Sequence, residues 1–227
     1  MKKLKIAIDA TTAAGATSIA ESLSDILNIK HIDPKLMYKA LSLKIFAEGI
    51  SPYDEIKCKG LLINTHIDVF KRNGKQFILL DGSNVADKIV SPFIESVALN
   101  LSRLPLIRAE MVKNQKVIAR DGGIIDGKDI SDVVLPDANY KIFLTADLLK
   151  RAERRYKDFK KNEPFISFED VLKDTIERDR RDVNNYIAPL SMSKDAALIN
   201  NTDLNINQTV NACLGIINKG EGTSYHR

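Results

Sequence analysis

Apolar residues run almost unbroken through residues 4–9, LKIAID, the pattern of a strand buried on both faces. From Thr17 to Leu27 the period changes. Ile19, Leu23, Ile26 and Leu27 recur at helical spacing, which predicts an amphipathic helix. A short strand at KHID then leads into PKLMYKALSLKIFAEG, a helical pattern that stops at Gly49. Residues 61–90 break the alternation. They predict two short antiparallel strands joined at Asn73-Gly74, a common hairpin turn.

Beyond this insert the alternation resumes. Helices are predicted from Pro92 and after Pro105, and a strand at GGIIDGKD ends in an acidic turn. YKIFLTA reads as a central strand. DLLKRAERRYKDFKK and SFEDVLKDTIERDRRDVNN read as helices, AALINNT as the last strand, NINQTVNACLGIINKG as the closing helix and EGTSYHR as a frayed tail. Strands alternating with long crossovers predict an α/β chain with a mostly parallel sheet covered on both faces.

Bulk numbers narrow the function classes. The 227 residues fit one sizeable domain, and 44% hydrophobic with 28% charged residues is ordinary for a globular chain. A net charge of +4 is explained by a solvated surface, with anionic ligands on clustered arginines as the alternative. The basic helix lacks interleaved exposed aromatics and the net charge is small, which argues against a nucleic-acid binder. Cys58 and Cys213 lie far apart, and His31, His66 and His226 form no ligand cluster, so a reducing compartment and no histidine or cysteine metal site are expected. No apolar run approaches the roughly 18 residues of a membrane span, and the start reads as a strand instead of a signal peptide. The expected location is the cytoplasm.

The candidate chemistry begins at the end of the first strand. A phosphate-binding loop of the Walker type needs glycines for backbone curvature, a lysine for the outer phosphates and a hydroxyl for Mg²⁺. Here the aligned positions are Ala10, Thr11, Thr12, Ala13, Ala14, Gly15, Ala16 and Thr17, followed by Ser18. Gly15 and Thr17 fit. Ala10 stands for the first glycine and Ala16 for the lysine. Because Ala and Thr resist positive φ, a phosphate cradle is expected only if its curvature avoids them.

The rest of the chain carries a resemblance. MYKAL after HID, LLDGSNVADKIVSPFI, LSRLPLIR, DGKDISDVVLPDANYKIFLTA, RAERRYKDF and ERDRRDVNNYIAPL together resemble the bacterial cytidylate kinase family, from about residue 4 to residue 217. The resemblance implies a P-loop nucleoside monophosphate kinase fold over residues 1–227. It also implies a monophosphate-binding insert near 61–90 and a helical lid near 147–185. The implied reaction is transfer of the ATP γ-phosphate to CMP or dCMP with Mg²⁺, by a monomer acting on small nucleotides.

Carried over residue by residue, Asp33 and Tyr38 match the D-[ST]-G-x-x-Y-R motif, with Pro34, Lys35 and Lys39 in place of its hydroxyl, glycine and arginine. Ser102 matches a cytosine-recognising residue, and Arg108 an arginine near the acceptor nucleotide. In Asp126-Gly127-Lys128-Asp129, Asp129 matches a carboxylate that reads the cytosine amino group, and Lys128 replaces an arginine. Arg178 and Asp182 resemble a phosphate-side arginine and a ribose-binding aspartate, and Asn185 replaces a further arginine. Arg151, Arg154 and Arg155 occupy the lid helix. The resemblance thus implies Lys39, Lys128, Arg151, Arg155 and Arg178 as the charges around the transferring phosphoryl group. Thr17, with Asp9 acting directly or through water, is implied for Mg²⁺.

Read without the resemblance, the three lid arginines are a solvated face, Arg178 and Asp182 an ion pair four residues apart, and Asp126 and Asp129 turn formers. Two functions stay open: a working cytidylate kinase, or a degenerate homologue, weak or inactive, that serves as a binding or scaffold protein.

Overall fold

The computed structural model describes residues 3–72, 75–161 and 163–222. The elements in order are β1 (Lys5–Ala10), α1 (Ala16–Leu27), β2 (His31–Ile32), α2 (Pro34–Ala47), α3 (Glu55–Ile63), β3 (Ile67–Arg72), β4 (Lys75–Leu80) and β5 (Ser83–Asn84). There follow α4 (Pro92–Leu101), α5 (Pro105–Ile118), β6 (Gly123–Gly127), β7 (Tyr140–Thr145), α6 (Leu148–Phe159), α7 (Phe168–Val183), β8 (Ala197–Asn200) and α8 (Ile206–Gly222). The chain divides into two compact units, Met1–Leu4 with Ile29–Ile125, and Lys5–Asn28 with Asp126–Arg227. It passes from the first to the second inside β6.

In the second unit β1 pairs in parallel with β7, Ile6 opposite Tyr140 and Ala10 opposite Leu144. β7 pairs in parallel with β8, Ile142 opposite Ala197 and Thr145 opposite Asn200. Ile6, Ala7 and Ile8 are wholly buried, so the unbroken apolar run of β1 is a strand covered on both faces. α1 buries Ile19, Ala20 and Leu23 and packs against α8. Ile26 is exposed, because the buried stripe of α1 is narrower than its apolar spacing suggests.

In the first unit β2 pairs in parallel with β6, His31 opposite Ile124. Asp33 caps α2 by accepting from Lys35 N at 2.8 Å, and Pro34 starts the helix with a preset φ. Met37, Tyr38, Ala40, Leu41 and Ile45 form its buried face, against α4 and the small sheet. That sheet is antiparallel in the order β3-β4-β5. The expected insert is therefore a sheet of three strands, and its turn at Asn73-Gly74 lies outside the described residues.

Residues 61–63, at the start of the expected insert, are the end of α3. α3 is capped by Asp54, which accepts from Lys57 N at 3.1 Å, and is tied to α5 by Glu55, which accepts from Leu106 N at 2.7 Å. Gly122 and Gly123 set the entry to β6. At Gly122 (φ 89°) an added Cβ would stand 2.8 Å from the carbonyl oxygen of Leu4, a contact no side chain tolerates. Both cysteines are buried free thiols, and burial pushes the Cys213 thiol up to about 12. No helix among the described residues is long and apolar enough to cross a membrane.

Candidate active site

The loop between β1 and α1 takes a left-handed backbone at two places, Gly15 (φ 90°) and Ala13 (φ 62°). The loop's curvature therefore does not avoid alanine. Ala13 adopts it because neighbours hold the loop on several sides. Thr11 N donates to Leu144 O at 3.1 Å, and Ala14 N to Thr11 O at 3.1 Å. Arg151 Nη1 donates to Thr12 O at 3.1 Å, and Asn201 Nδ2 to Ala14 O at 2.8 Å. Gly15 occupies the N-cap of α1 with no side chain to offer, and Ala16 begins the helix.

Thr17, in the first turn of α1, donates its hydroxyl to Asp126 Oδ2 at 2.8 Å. Asp126 is 2% exposed at the end of β6. Two hard oxygen atoms thus meet at the loop's end. This donor set suits Mg²⁺, which takes one or two protein oxygens and completes its shell with water and phosphate. Asp9 is placed differently. Its two carboxylate oxygens accept from Ile130 N at 2.7 Å and Ser131 N at 2.9 Å. These bonds fix the single π-helical turn Ile130–Val134. Burial pushes the Asp9 carboxyl above its ordinary value of 3.8, against the pull of those bonds. Both Asp9 carboxylate oxygens are thus engaged by main-chain N–H groups, whereas the carboxylate beside the Thr17 hydroxyl is that of Asp126, a residue whose sequence context suggested a turn.

Around the loop, Asp182 accepts from Thr12 Oγ1 at 3.1 Å and forms an ion pair with Lys128. Asp129, beside Lys128, is 5% exposed in a left-handed conformation (φ 58°). Arg178 pairs with Asp174 at 2.9 Å. The Arg178–Asp182 ion pair allowed by their spacing does not form, because each residue has a nearer partner.

The α6–α7 pair holds the three arginines of the expected lid. Arg151 and Arg155 are 6% and 8% exposed, which corrects the reading of these arginines as a solvated face. Arg151 grips Asp179 through Nη1 at 2.9 Å and Nη2 at 2.7 Å, and donates from Nε to Ala146 O at 2.7 Å. Arg155 donates to Thr175 Oγ1 at 2.8 Å and pairs with Asp174. Arg154 reaches Asn201 Oδ1 at 3.0 Å and Asn201 O at 2.7 Å. Burial and the neighbouring Arg151 charge both pull the Arg154 pKa below its ordinary value.

The remaining candidates lie in the first unit. Tyr38 is 6% exposed in the core face of α2. Lys39 Nζ pairs with Glu95 Oε2 at 3.3 Å. Ser102 caps the end of α4 and donates to Leu99 O at 2.9 Å, and Arg108 is half-buried on the first turn of α5. Asp33 is the N-cap already described.

Comparison with known proteins gives this geometry a family. A family model described as cytidylate kinase matches residues 6–219. A cytidylate kinase from Caldicellulosiruptor bescii is 36% identical over 220 residues, spanning 96% of this chain and 97% of its own length. One from Caldanaerobacter subterraneus subsp. tengcongensis is 36% identical over 217 residues, 95% of each chain. One from Clostridium botulinum (strain Okra / Type B1) is 36% identical over 220 residues, 96% of this chain and 100% of its own. With a parallel sheet flanked by helices, a small antiparallel sheet inserted and a strand-loop-helix at the phosphate position, the chain belongs to the cytidylate kinase family and has its P-loop nucleoside monophosphate kinase fold.

Proposed function

We propose that this chain transfers the γ-phosphate of ATP to CMP or dCMP, giving ADP and CDP or dCDP, as a monomer. A phosphate oxygen of the acceptor forms the new bond to the γ-phosphorus, and the bond to the β-phosphate oxygen breaks as ADP leaves. The attacking oxygen is already ionised at neutral pH, so catalysis rests on positioning and charge neutralisation without a strong general base. Residues 10–18 would cradle the donor phosphates. Mg²⁺, held by Thr17 and Asp126, would supply neutralising charge when bound.

In the first unit Asp33, Tyr38, Lys39, Ser102 and Arg108 carry the acceptor reading, with residues 61–90 as the monophosphate-binding insert. In the second, Lys128, Asp129, Arg178 and Asp182 carry it, and 147–185 is the lid. Lys128 and the lid arginines stand in for the charge missing at Ala16.

The observation that supports this reading best is the Thr17 hydroxyl resting on a buried carboxylate at the start of α1. The loop keeps its metal-side chemistry although its lysine is gone. The second reading, a weak or inactive homologue retained for binding, is favoured by Ala16 itself. Loss of such a charge typically slows transfer about a hundredfold to a thousandfold.

ADP formation from Mg-ATP and CMP, measured beside an Ala16→Lys variant, separates the two. Turnover of the parent well above the CMP-free background sinks the inactive reading. No turnover together with no calorimetric binding of either nucleotide sinks the kinase reading.

A further inference from the structure

Asn201, just past the end of β8, makes more contacts than a loop residue needs. It is 3% exposed, its N–H donates to Thr145 O at 2.8 Å, and its carbonyl accepts from Arg154 Nη2 at 2.7 Å. Its side chain bridges two partners. Arg154 Nη1, 3.0 Å away, can only donate, and Ala14 O, 2.8 Å away, can only accept. The amide therefore has one orientation that satisfies both, Oδ1 to the guanidinium and Nδ2 to the carbonyl.

This bond acts on the loop through peptide geometry. A trans peptide is planar, with its C=O and N–H on opposite sides. Fixing the Ala14 carbonyl toward Asn201 turns the Gly15 N–H the other way. Arg151 does the same to the preceding alternate peptide, holding Thr12 O and so turning the Ala13 N–H away from it. Ala13 and Gly15 are both left-handed, and the Ala14 N–H between them is taken by Thr11 O, so the Ala13 and Gly15 N–H groups are the ones these two carbonyl contacts orient for an anion. Arg154 also lines an open surface depression with Lys150, Glu153, Lys157, Thr202 and Asp203. The Asn201 amide thus joins the rim of that depression to the loop.

We propose that Asn201 is a positioning residue for the donor nucleotide: it holds the lysine-less loop in its anion-presenting shape and links it to Arg154. The proposal rests on the kinase reading above.

Asn201→Asp tests it, because the variant keeps an acceptor for Arg154 and replaces the donor to Ala14 with a second acceptor. Asn201→Ser, which retains a donor, is the conservative partner. The readouts are KM for ATP and for CMP, kcat, and backbone hydrogen exchange across residues 10–18 without nucleotide. The expected result for Asn201→Asp is about a tenfold rise in KM for ATP, unchanged KM for CMP and faster exchange in the loop, with partial return in Asn201→Ser. KM values for ATP and CMP rising together, or KM for ATP unchanged, overturns the proposal. A parent chain that binds no ATP defeats the kinase reading, not the strut. The exchange arm then decides the strut alone, and unchanged loop exchange in Asn201→Asp overturns it.

Discussion

Thr17 and Asp126 are joined by a 2.8 Å hydrogen bond between the first turn of α1 and the last residues of β6. The Mg²⁺ site proposed above rests on this hydroxyl and carboxylate. Asp126→Asn keeps the shape and removes the charge. Turnover with Mg-ATP and CMP is expected to fall about a hundredfold or more, with partial recovery as Mg²⁺ is raised. Thr17→Ser, which keeps the hydroxyl, is expected to stay within roughly threefold of the parent. An Asp126→Asn variant with parental turnover and Mg²⁺ dependence would remove Asp126 from the metal site.

Ala13 supplies a stability prediction. A non-glycine residue in the left-handed region is strained by about 1 kcal/mol or more, and glycine loses part of that gain through a freer unfolded chain. Ala13→Gly is expected to stabilise by about 0.5 kcal/mol, seen as a melting temperature about 1–2 °C higher. A lower melting temperature would mean that the strain is already relieved elsewhere.

Asp9 holds a turn through two main-chain bonds. Asparagine can accept only one of them and would aim an NH₂ group at the other N–H. Asp9→Asn is expected to speed hydrogen exchange at Ile130 or Ser131 about tenfold. Unchanged exchange at both amides would show that the π-helical turn stands without the carboxylate.

Asp174 gives a pH dependence. Desolvation works to raise its pKa, but the bonds from Arg155 and Arg178 prevail and hold the carboxyl below its ordinary 3.8. A carboxylate depressed on folding contributes stability above its unfolded pKa and loses it as pH falls through the folded one. The α6–α7 pairing is therefore expected to weaken as pH drops below about 3.8, by less than about 1 kcal/mol because Asp174 is partly exposed. Urea unfolding of the parent and Asp174→Asn across pH 3–6 checks this. The gap between them should close toward the acid end, and a gap that widens there contradicts the assignment.

What the sequence reveals and hides follows physical lines. β1, β7 and α1 are legible because burial imposes a local period on consecutive residues. α3 is not: it has nine residues with Gly60 inside, and Glu55 ties it to Leu106 on α5, a contact 51 positions away. The buried state of Arg151 and Arg155 is hidden for the same reason, since Asp179 and Thr175 become visible as partners only when α7 folds back on α6. Asp126 had a sequence signal, its place three residues past the Gly122-Gly123 pair in an acidic strand end, but that signal could not distinguish a turn former from the metal-side carboxylate proposed above. Asn201 had none, because its role depends on Ala14, 187 positions earlier.

The left-handed alanine in the phosphate loop has a wider implication. When surrounding side chains dictate a backbone path, the residues along that path are released from having to encode it. The loop's letters are then free to drift while its outline stays. A search keyed to glycine and lysine spacing would pass over chains of this kind, and one keyed to the struts, an arginine on residue 12 and an amide on residue 14, would find them.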